Sequence, residues 1–240
     1  MPPLTSSRGG VRRASSDETV AVAGLLGRGF ATDPIERWCL ACDDPTALIE
    51  LELLQATRQL TAAGWLWVTD DLSGAAAWLP PGAGYDDEAI DAVVNPELAR
   101  RGGRPDRLTR FWTWVDDHRP TPPHWYLDLV AVEPERHNAG IGHRLLVEGL
   151  VRVDRSARAG FLVTGNPRTV PWYERHGFAV RSEEQAPDAG PTVWFMERPP
   201  RGHAPGSVAP TQARPRRPPS SAAGRGSGRW RRTPGPLPLP

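Results

Sequence analysis

The feature that most constrains the fold is a strand-like run that passes through a turn with two glycines directly into an amphipathic helix. Residues 125–132 form the most strand-like run of the chain, and apolar residues recur at helical spacing over residues 140–157. Gly140 and Gly142 open the helix. Glycine lets the backbone approach a ligand closely, and a helix N-terminus presents unpaired N–H groups. The turn is therefore predicted to bind a diphosphate group.

Other phosphate-binding and amine-dependent sites are disfavoured by residue type. A dinucleotide-binding turn requires a third glycine, and position 145 is Leu. The chain has no lysine, so all 29 basic residues are Arg. This excludes a P-loop nucleotide site, which needs a lysine, and it excludes Schiff-base chemistry on an enzymatic lysine.

Hydrophobic periodicity and turn residues predict a mixed α/β domain around this segment. In the helix predicted from Pro45 to Ala62, the inward face is predicted at Leu48, Leu51 and Leu54, with Leu60 as a further candidate. The other predicted helices start at Ser16-Asp17, cover 86–118 with an interruption at 101–105, and cover 167–176. The other predicted strands cover 11–13, 65–69, 75–79, 161–164, 178–183 and 192–197.

Composition divides the chain into three parts. Residues 11–198 are predicted to form one domain after a flexible segment over residues 1–10. Residues 199–240 contain eight Arg and no acidic residue, so this tail carries +8 and the remainder carries −7, given the total of +1. Its eleven Pro and six Gly predict a disordered segment. A solvated tail, a tether for nucleic acid or an acidic partner, and an out-of-frame stretch remain open.

Cysteine usage and apolar runs bear on metal binding and location. Cys39 and Cys42 form a lone C-x-x-C without a second ligand pair, so no metal site is predicted and both residues are expected to pack as small apolar side chains. No apolar run approaches the roughly 20 residues of a membrane span. Met1–Arg13 lacks the apolar segment of a secretory signal, so a cytoplasmic protein without membrane association is expected.

Two motifs together resemble those of the GNAT acetyltransferases. Residues 130–146 read Val-Ala-Val-Glu-Pro-Glu-Arg-His-Asn-Ala-Gly-Ile-Gly-His-Arg-Leu-Leu and resemble motif A, whose pattern is Gln/Arg-x-x-Gly-x-Gly/Ala. Residues 166–178 place an Asn seven positions before Tyr-Glu-Arg-His-Gly-Phe and resemble the second motif. His137 stands where the pattern has Gln or Arg, and Asn138 stands where a Gly follows. The resemblance covers about residues 11–198 and is closest to the puromycin N-acetyltransferase-like acetylators of small amines.

The resemblance implies the GNAT fold, with a mostly antiparallel sheet of six to seven strands, splayed at the cofactor strand and flanked by helices. It also implies that acetyl-CoA binds as co-substrate. The backbone of the strand pairs with the pantetheine arm, and the turn cradles the pyrophosphate. The cofactor-binding residues implied are Val130, Ala131, Val132, His137, Asn138, Ala139, Gly140, Ile141, Gly142, His143 and Asn166. A turn-forming role for Asn166 is the alternative.

Tyr173 and Asp128 are the candidate catalytic residues. Tyr173 resembles the family tyrosine that protonates the leaving thiolate, and packing of its ring on Phe178 is the alternative. Asp128 lies in an otherwise apolar strand, where an acidic residue needs a partner or a purpose. It is the candidate general base, with a structural salt bridge as the alternative, and strand alternation places it on the face of Val130 unless a bulge intervenes. His124 and Glu174 are lesser candidates.

The resemblance predicts transfer of acetyl from acetyl-CoA to a primary amine of a small molecule in a ternary complex. The acidic body favours a cationic acceptor. Trp112, Trp114, Trp125 and Trp172 are candidates to line its pocket, with packing in the core as the alternative for most of them. A catalytically weak acyl-CoA-binding regulatory domain is the alternative, because of His137 and Asn138. A monomer or homodimer is expected, and nucleic-acid binding is expected only if the Arg-rich tail supplies it.

Overall fold

The computed structural model describes residues 10–201. The predicted flexible segment over residues 1–10 and the predicted tail over residues 199–240 lie outside this part, except for residue 10 and residues 199–201. Within the described part, no helix is long and apolar enough to cross a membrane.

Seven strands and seven helices make up the described part of the chain, together with two short 3-10 segments, Ser16–Glu18 and Pro134–Arg136. The helices are α1 (Thr19–Phe30), α2 (Pro34–Cys39), α3 (Pro45–Ala62), α4 (Asp87–Arg100), α5 (Pro105–Asp117), α6 (Ile141–Arg155) and α7 (Val170–Glu174). The strands are β1 (Val11–Arg13), β2 (Leu66–Thr69), β3 (Gly74–Leu79), β4 (Trp125–Val132), β5 (Gly160–Thr164), β6 (Ala179–Gln185) and β7 (Thr192–Arg198).

The strands form one sheet in the order β1-β2-β3-β4-β5-β7-β6. Every neighbouring pair is antiparallel except β4 and β5, which run parallel because α6 forms the crossover between them. This confirms the predicted mixed α/β fold with a mostly antiparallel sheet flanked by helices.

Two hydrophobic cores cover the two faces of the sheet. The α1–α5 core joins apolar residues of helices α1 to α5 to one face of the strands. The α6–α7 core joins residues of α6 and α7 to the opposite face. Strand β3 serves both, because Ala75 and Ala77 face the first core while Ala76 and Trp78 face the second. A strand buried on both faces holds the two layers together.

Two predicted helices differ from those observed. In α3, Leu51 and Leu54 are only half-buried, whereas Glu52 and Leu53 are buried. The predicted inward residues are spaced three apart. An α-helix has 3.6 residues per turn, so residues at a constant spacing of three move progressively away from one face. Helix α7 begins only at Val170, because the preceding residues form a hydrogen-bonded turn rather than helix.

Cys39 and Cys42 lie in the same hydrophobic environment. Cys39 is buried in the α1–α5 core, and Cys42 packs against it. The described residues contain no group of three or more His, Cys, Asp or Glu placed to hold a metal ion.

Helix α6 lies unusually close to the sheet, and two glycines allow this. A Cβ on Gly149 would come within 2.0 Å of Nε1 of Trp78, whose side chain is fully buried. A Cβ on Gly74 would come within 2.6 Å of Ile141, the first residue of α6. Since neither partner has free space to retreat into, the glycines set the height of α6 above the strands and thereby the position of its N-terminus.

Replacement of Gly149 by alanine is expected to destabilise the domain by about 1–3 kcal/mol, because the added methyl group overlaps the indole of Trp78. The measurement is the free energy of unfolding from urea titration. Gly24→Ala is the matched control, since Gly24 also lies inside a helix but its Cβ would meet only the flexible end of Arg28, at 3.3 Å. The control is expected to gain up to about 1 kcal/mol. Equal effects of the two substitutions would contradict the proposed contact.

Candidate active site

The sheet opens between its two parallel strands. Strands β4 and β5 pair only over Trp125–Leu127 and Gly160–Leu162. Beyond this point, the edge of β4 over residues 128–132 separates from β5, while the rest of β5 continues its pairing with β7. A strand edge without a neighbouring strand presents its N–H and C=O groups to any extended ligand that can align with it. The predicted splay of the sheet is therefore present, and it lies at the predicted strand.

A β-bulge lies where the opening begins. Ala77 and Trp78 are adjacent in β3, yet they pair with Leu129 and Leu127 of β4. Asp128 is therefore the extra residue of the bulge, with no residue opposite it on β3.

The bulge reverses the alternation of side chains along β4. Leu127 and Val130 both belong to the α6–α7 core, although strict alternation would place them on opposite faces. Asp128 accepts a hydrogen bond at Oδ2 from the hydroxyl of Tyr85, and Tyr85 belongs to the α1–α5 core. Strand alternation was expected to place Asp128 on the face of Val130 unless a bulge intervened, and such a bulge is present. The Asp128 carboxylate is directed toward Tyr85, away from the face of Val130.

The turn between β4 and α6 has the backbone geometry that the two-glycine pattern requires. Asn138 and Gly140 have φ angles of 63° and 75°, in the left-handed region. Gly140 is the N-cap of α6 and supplies no side chain to cap the helix. The first N–H groups of an α-helix have no acceptor within the helix, so Ile141, Gly142 and His143 present donors and a partial positive charge at this turn.

The His137 imidazole is directed back at the strand. Its Nε2 lies 3.1 Å from the carbonyl oxygen of Val132, so that nitrogen carries the hydrogen and donates it. Arg136 lies beside it, 3.4 Å from a carboxylate oxygen of Asp71 in an exposed ion pair. His137 therefore ties the start of the turn to the end of β4, a structural role that the sequence did not predict.

These elements enclose a groove of about 700 Å³, the β4 groove. All the predicted cofactor-binding residues except Ala139 line it: Val130, Ala131, Val132, His137, Asn138, Gly140, Ile141, Gly142, His143 and Asn166. Ala139 is exposed beside it. The groove is also lined by Arg136, Arg168 and Arg175, with no carboxylate among its described lining residues. It is therefore an electropositive groove of the size of a ligand pocket.

A pair of histidines borders the groove. Nδ1 of His143 lies 2.8 Å from Nε2 of His176, and Nδ1 of His176 lies 2.8 Å from the carbonyl oxygen of Trp172. A carbonyl can only accept, so Nδ1 of His176 donates, and in the neutral pair His143 donates to His176. His176 occupies the variable position of the Tyr-Glu-Arg-His-Gly-Phe motif, so no sequence pattern marked it.

Tyr173 is buried where two spaces meet. It lines both the β4 groove and a second cavity. Burial raises the pKa of its phenol, and the nearby charge of Asp33 raises it further. The phenol is therefore neutral and able to donate a proton at physiological pH. Its ring also makes an edge contact with Phe178 at 6.0 Å between centroids, so the predicted packing is present as well.

Asn166 shapes the turn that precedes α7. Its Oδ1 accepts a hydrogen bond of 3.0 Å from the N–H of Arg168, and its carbonyl accepts one of 3.1 Å from the N–H of Thr169. The turn-forming role is thus observed. Asn166 also lines both the groove and the second cavity, so ligand binding by this residue stays a prediction.

The second space, the inner cavity, has a volume of about 160 Å³ and lies between the sheet and the helices of the α1–α5 layer. Its wall includes Asp128 and three carboxylates that the sequence did not single out: Asp33, Glu36 and Glu52. Among its described lining residues there is no Arg or His. Asp33 caps α2 by accepting hydrogen bonds from the N–H groups of Ile35 at 2.8 Å and Glu36 at 3.2 Å.

Burial and neighbouring backbone groups act in opposite directions on Asp33. Burial raises the pKa of its carboxyl above the ordinary value, and the two hydrogen bonds from the start of α2 partly offset this. In sequence, Asp33-Pro34 marked only the end of a helix.

The other residues predicted for the site are the four tryptophans and the two lesser candidates for the base, and only some of them line either space. Trp112 lines the inner cavity and Trp172 lines the groove. Trp114 instead packs on Phe195, and Trp125 donates a hydrogen bond to Ser156. The His124 and Glu174 side chains line neither space.

One part of the chain is similar to a known family of domains. Residues 116–197 match the family model described as an acetyltransferase (GNAT) domain. This range runs from the end of α5 through β7 and contains the opened pair of strands, the turn and Tyr173.

Solved structures of acetyltransferases share the fold. The chain is similar to the histone acetyltransferase HPA2 and related acetyltransferase from Corynebacterium glutamicum, with 25% identity, 80% of this chain and 96% of that chain covered, and a TM-score of 0.60. An N-acetyltransferase from Staphylococcus aureus is 11% identical, with 78% and 98% covered and a TM-score of 0.55. A polyamine N-acetyltransferase from Drosophila melanogaster is 14% identical, with 78% and 97% covered and a TM-score of 0.54.

Residues 116–197, which contain the opened parallel strands and the glycine turn, are thus similar to a GNAT acetyltransferase domain, and the described part of the chain shares its fold with solved acetyltransferase structures.

Proposed function

We propose that the chain transfers the acetyl group of acetyl-CoA to a primary amine of a small molecule. The observation that carries this proposal is the continuity of the β4 groove. An open strand edge leads into a helix N-terminus, and Tyr173 lies at the junction with the inner cavity. An extended arm carrying a diphosphate and ending in a thioester has this same order of groups.

The groove supplies complementary groups for each part of acetyl-CoA. Val130 to Val132 offer backbone N–H and C=O groups to the amides of the pantetheine arm. The N–H groups at the start of α6 face the diphosphate, where the partial charge of a helix N-terminus favours an anion. Arg136, Arg168 and Arg175 add positive charge along the same groove. Because the phosphate contacts come mostly from the backbone, His137 and Asn138 in place of the family residues are compatible with binding.

The proposed reaction is a direct transfer within a ternary complex. The amine nitrogen attacks the thioester carbonyl carbon, and the C–S bond breaks as the tetrahedral intermediate collapses. Tyr173 donates its phenolic proton to the departing sulfur. The proton lost by the amine passes to a carboxylate of the inner cavity, for which Asp128 is the proposed base. The regulatory alternative is not favoured, because the proposed acid lines both the groove and the cavity and the proposed base lines the cavity.

Tyr173→Phe is expected to lower kcat about 100-fold or more, because a positioned general acid contributes about 10²–10⁴-fold. Release of free thiol from acetyl-CoA in the presence of an amine panel measures kcat, and calorimetry measures the affinity for CoA. The affinity is expected to change little, since only a hydroxyl is removed. The raised pKa of Tyr173 keeps its phenol protonated. The kcat of the wild-type protein is therefore expected not to fall through deprotonation of this group up to about pH 9. An unchanged kcat in the Phe variant would remove Tyr173 from the reaction.

Gly142→Glu is expected to weaken CoA binding at least about 10-fold, because it adds bulk and negative charge inside an anion-binding groove. A Cβ at this position meets Trp172 at 3.5 Å, which is ordinary contact, so the fold is expected to tolerate the substitution. Val151→Glu is the matched control, since Val151 lies on the same helix but is exposed and lines neither space. Calorimetry with CoA distinguishes the two variants. Failure of the wild-type protein to bind CoA at millimolar concentration contradicts the proposed function.

A further inference from the structure

We infer that the hydrogen-bonded pair of His143 and His176 couples binding of a diphosphate in the β4 groove to the uptake of one proton by His143. This inference rests on the proposed function, because it states how the same groove holds the diphosphate of acetyl-CoA. Three observations support it: the direction of the hydrogen bonds in the pair, the place of His143 in the groove, and the charges around the pair.

The first observation is where the hydrogens of the pair lie. Because the carbonyl oxygen of Trp172 can only accept, Nδ1 of His176 carries a hydrogen, and Nε2 of the same neutral ring is an acceptor. Nδ1 of His143 lies 2.8 Å from that acceptor and therefore donates to it. A neutral imidazole carries one hydrogen, so Nε2 of His143 is left with a lone pair. In its neutral form, His143 thus has no hydrogen to donate to a ligand.

The same hydrogen bonds decide which nitrogen takes up a proton. Both ring nitrogens of His176 are engaged, so a proton on its Nε2 would displace the hydrogen bond from His143. A proton on Nε2 of His143 leaves both hydrogen bonds of the pair in place. It gives His143 a positive charge and a new donor. Histidine is the side chain whose ordinary change of charge lies between about pH 5 and 8, so this proton is exchanged under physiological conditions.

The second observation is the place of His143. It is the third residue of α6, it is exposed, and it lines the β4 groove beside the turn that is proposed to hold the diphosphate. Neutral Nε2 would set its lone pair against the lone pairs of a phosphate oxygen. Protonated Nε2 would instead donate a charge-assisted hydrogen bond to that oxygen. The contact of the His143 side chain with a phosphate therefore requires the proton, whereas the backbone N–H contacts of the turn do not.

The third observation is the charge around the pair. On the side of the groove, the charged or titratable lining residues come from the turn before α6 and from the segment around α7: Arg136, His137, Arg168 and Arg175. Arg144 follows His143 along α6, and Glu174 is the last residue of α7, but neither lines the groove. The described lining of the groove around His143 is therefore cationic.

The other side of the pair is cationic as well. Arg198 of β7 donates a hydrogen bond of 3.1 Å to the carbonyl oxygen of His176, and Asp154 of α6 pairs with its guanidinium at 2.6 Å. Arg175, Arg198 and Arg201 line a pocket together with His176, and its described lining contains no carboxylate. A bound diphosphate brings negative charge into these surroundings, and a nearby negative charge favours the protonated form of an imidazole. Proton uptake and diphosphate binding therefore strengthen each other.

Binding of dephospho-CoA to the wild-type protein provides the first test. This ligand keeps the diphosphate of CoA but lacks the phosphate monoester, whose own ionisation at about pH 6 would obscure the effect. The complex holds one more proton than its separated partners, so binding weakens as the pH rises. We expect Kd from calorimetry to increase at least about 10-fold between about pH 6 and about pH 8.5, the effect of one hydrogen bond to a charged group. A constant Kd overturns the inference and leaves the proposed function intact.

His176→Phe provides the second test. It keeps a ring beside Trp172, where the centroids of the native rings lie 4.8 Å apart, and it removes the acceptor for Nδ1 of His143. Neutral His143 can then carry its hydrogen on Nε2 and donate it to the diphosphate. We expect the variant to bind dephospho-CoA at least about 3-fold more tightly than the wild type at about pH 8.5, and equally tightly at about pH 6. If His176 serves only to hold the end of α7 against α6, the variant binds more weakly at both pH values, which contradicts the inference.

His143→Gln is an independent variant, since an amide donates a hydrogen bond without taking up a proton. Its Kd for dephospho-CoA is expected to change less than about 3-fold over the same pH range. His137→Gln is the matched control, because His137 also lines the groove but its imidazole bonds to the carbonyl oxygen of Val132 and lies outside the pair. The control is expected to keep the pH dependence of the wild type. A pH dependence that persists in His143→Gln, or that disappears in His137→Gln, overturns the inference.

Two further comparisons separate this inference from the proposed function. A pH dependence with CoA but not with dephospho-CoA belongs to the phosphate monoester and overturns the inference. If dephospho-CoA binds with the expected pH dependence but no amine is acetylated, the proposed function fails and the proton coupling stands. If amines are acetylated and the Kd of dephospho-CoA does not depend on pH, the proton coupling fails and the proposed function stands.

Discussion

The short pairing of the two parallel strands is the constraint on which the site depends. β4 and β5 share a ladder for only three residues before they separate. Had the ladder continued, the edge of β4 would be satisfied by β5, and neither the groove nor the cavity would exist. The separation is compatible with a stable sheet because β4 keeps its ladder with β3 on both sides of the bulge, and β5 keeps its ladder with β7. One face of the opening receives α6, and the other receives the ends of α1 and α2.

The close approach of small residues holds that opening in shape. A Cβ on Gly29 of α1 would lie 2.6 Å from Cβ of Ala131 in β4, and a Cβ on Gly165 would lie 2.7 Å from Ile35 of α2. Helices α1 and α2 are therefore pressed against the ends of the two diverging strands. Asp33 lies between these two helices. The apolar packing of the helices on the strands therefore places its carboxylate at the cavity.

The two spaces differ in sign because they are built from different layers. The groove draws on the turn before α6 and on the segment around α7, and its charged residues are arginines. The cavity draws on α2, α3 and β4, and its charged residues are carboxylates. Val130, Tyr173 and Asn166 border both. An anionic cofactor and a cationic acceptor would meet at this common wall, each in surroundings of opposite charge. The phenol of Tyr173 stays neutral there, because burial and the nearby charge of Asp33 both raise its pKa.

The amino-acid sequence by itself determined the fold class and most element positions, and its resemblance to a known family indicated the residues of the groove. These are local properties. Because β4, the turn and α6 are contiguous, the spacing of apolar residues and glycines along the chain predicts the strand, the turn and the helix. Only the tertiary structure decided the bulge at Asp128, its bond to Tyr85, the pairing of His143 with His176, and the acidic cavity. Asp33, Glu52 and Asp128 are distant in the chain and follow no shared pattern. Packing of helices against a diverging pair of strands brings such residues together, and no local periodicity encodes that contact.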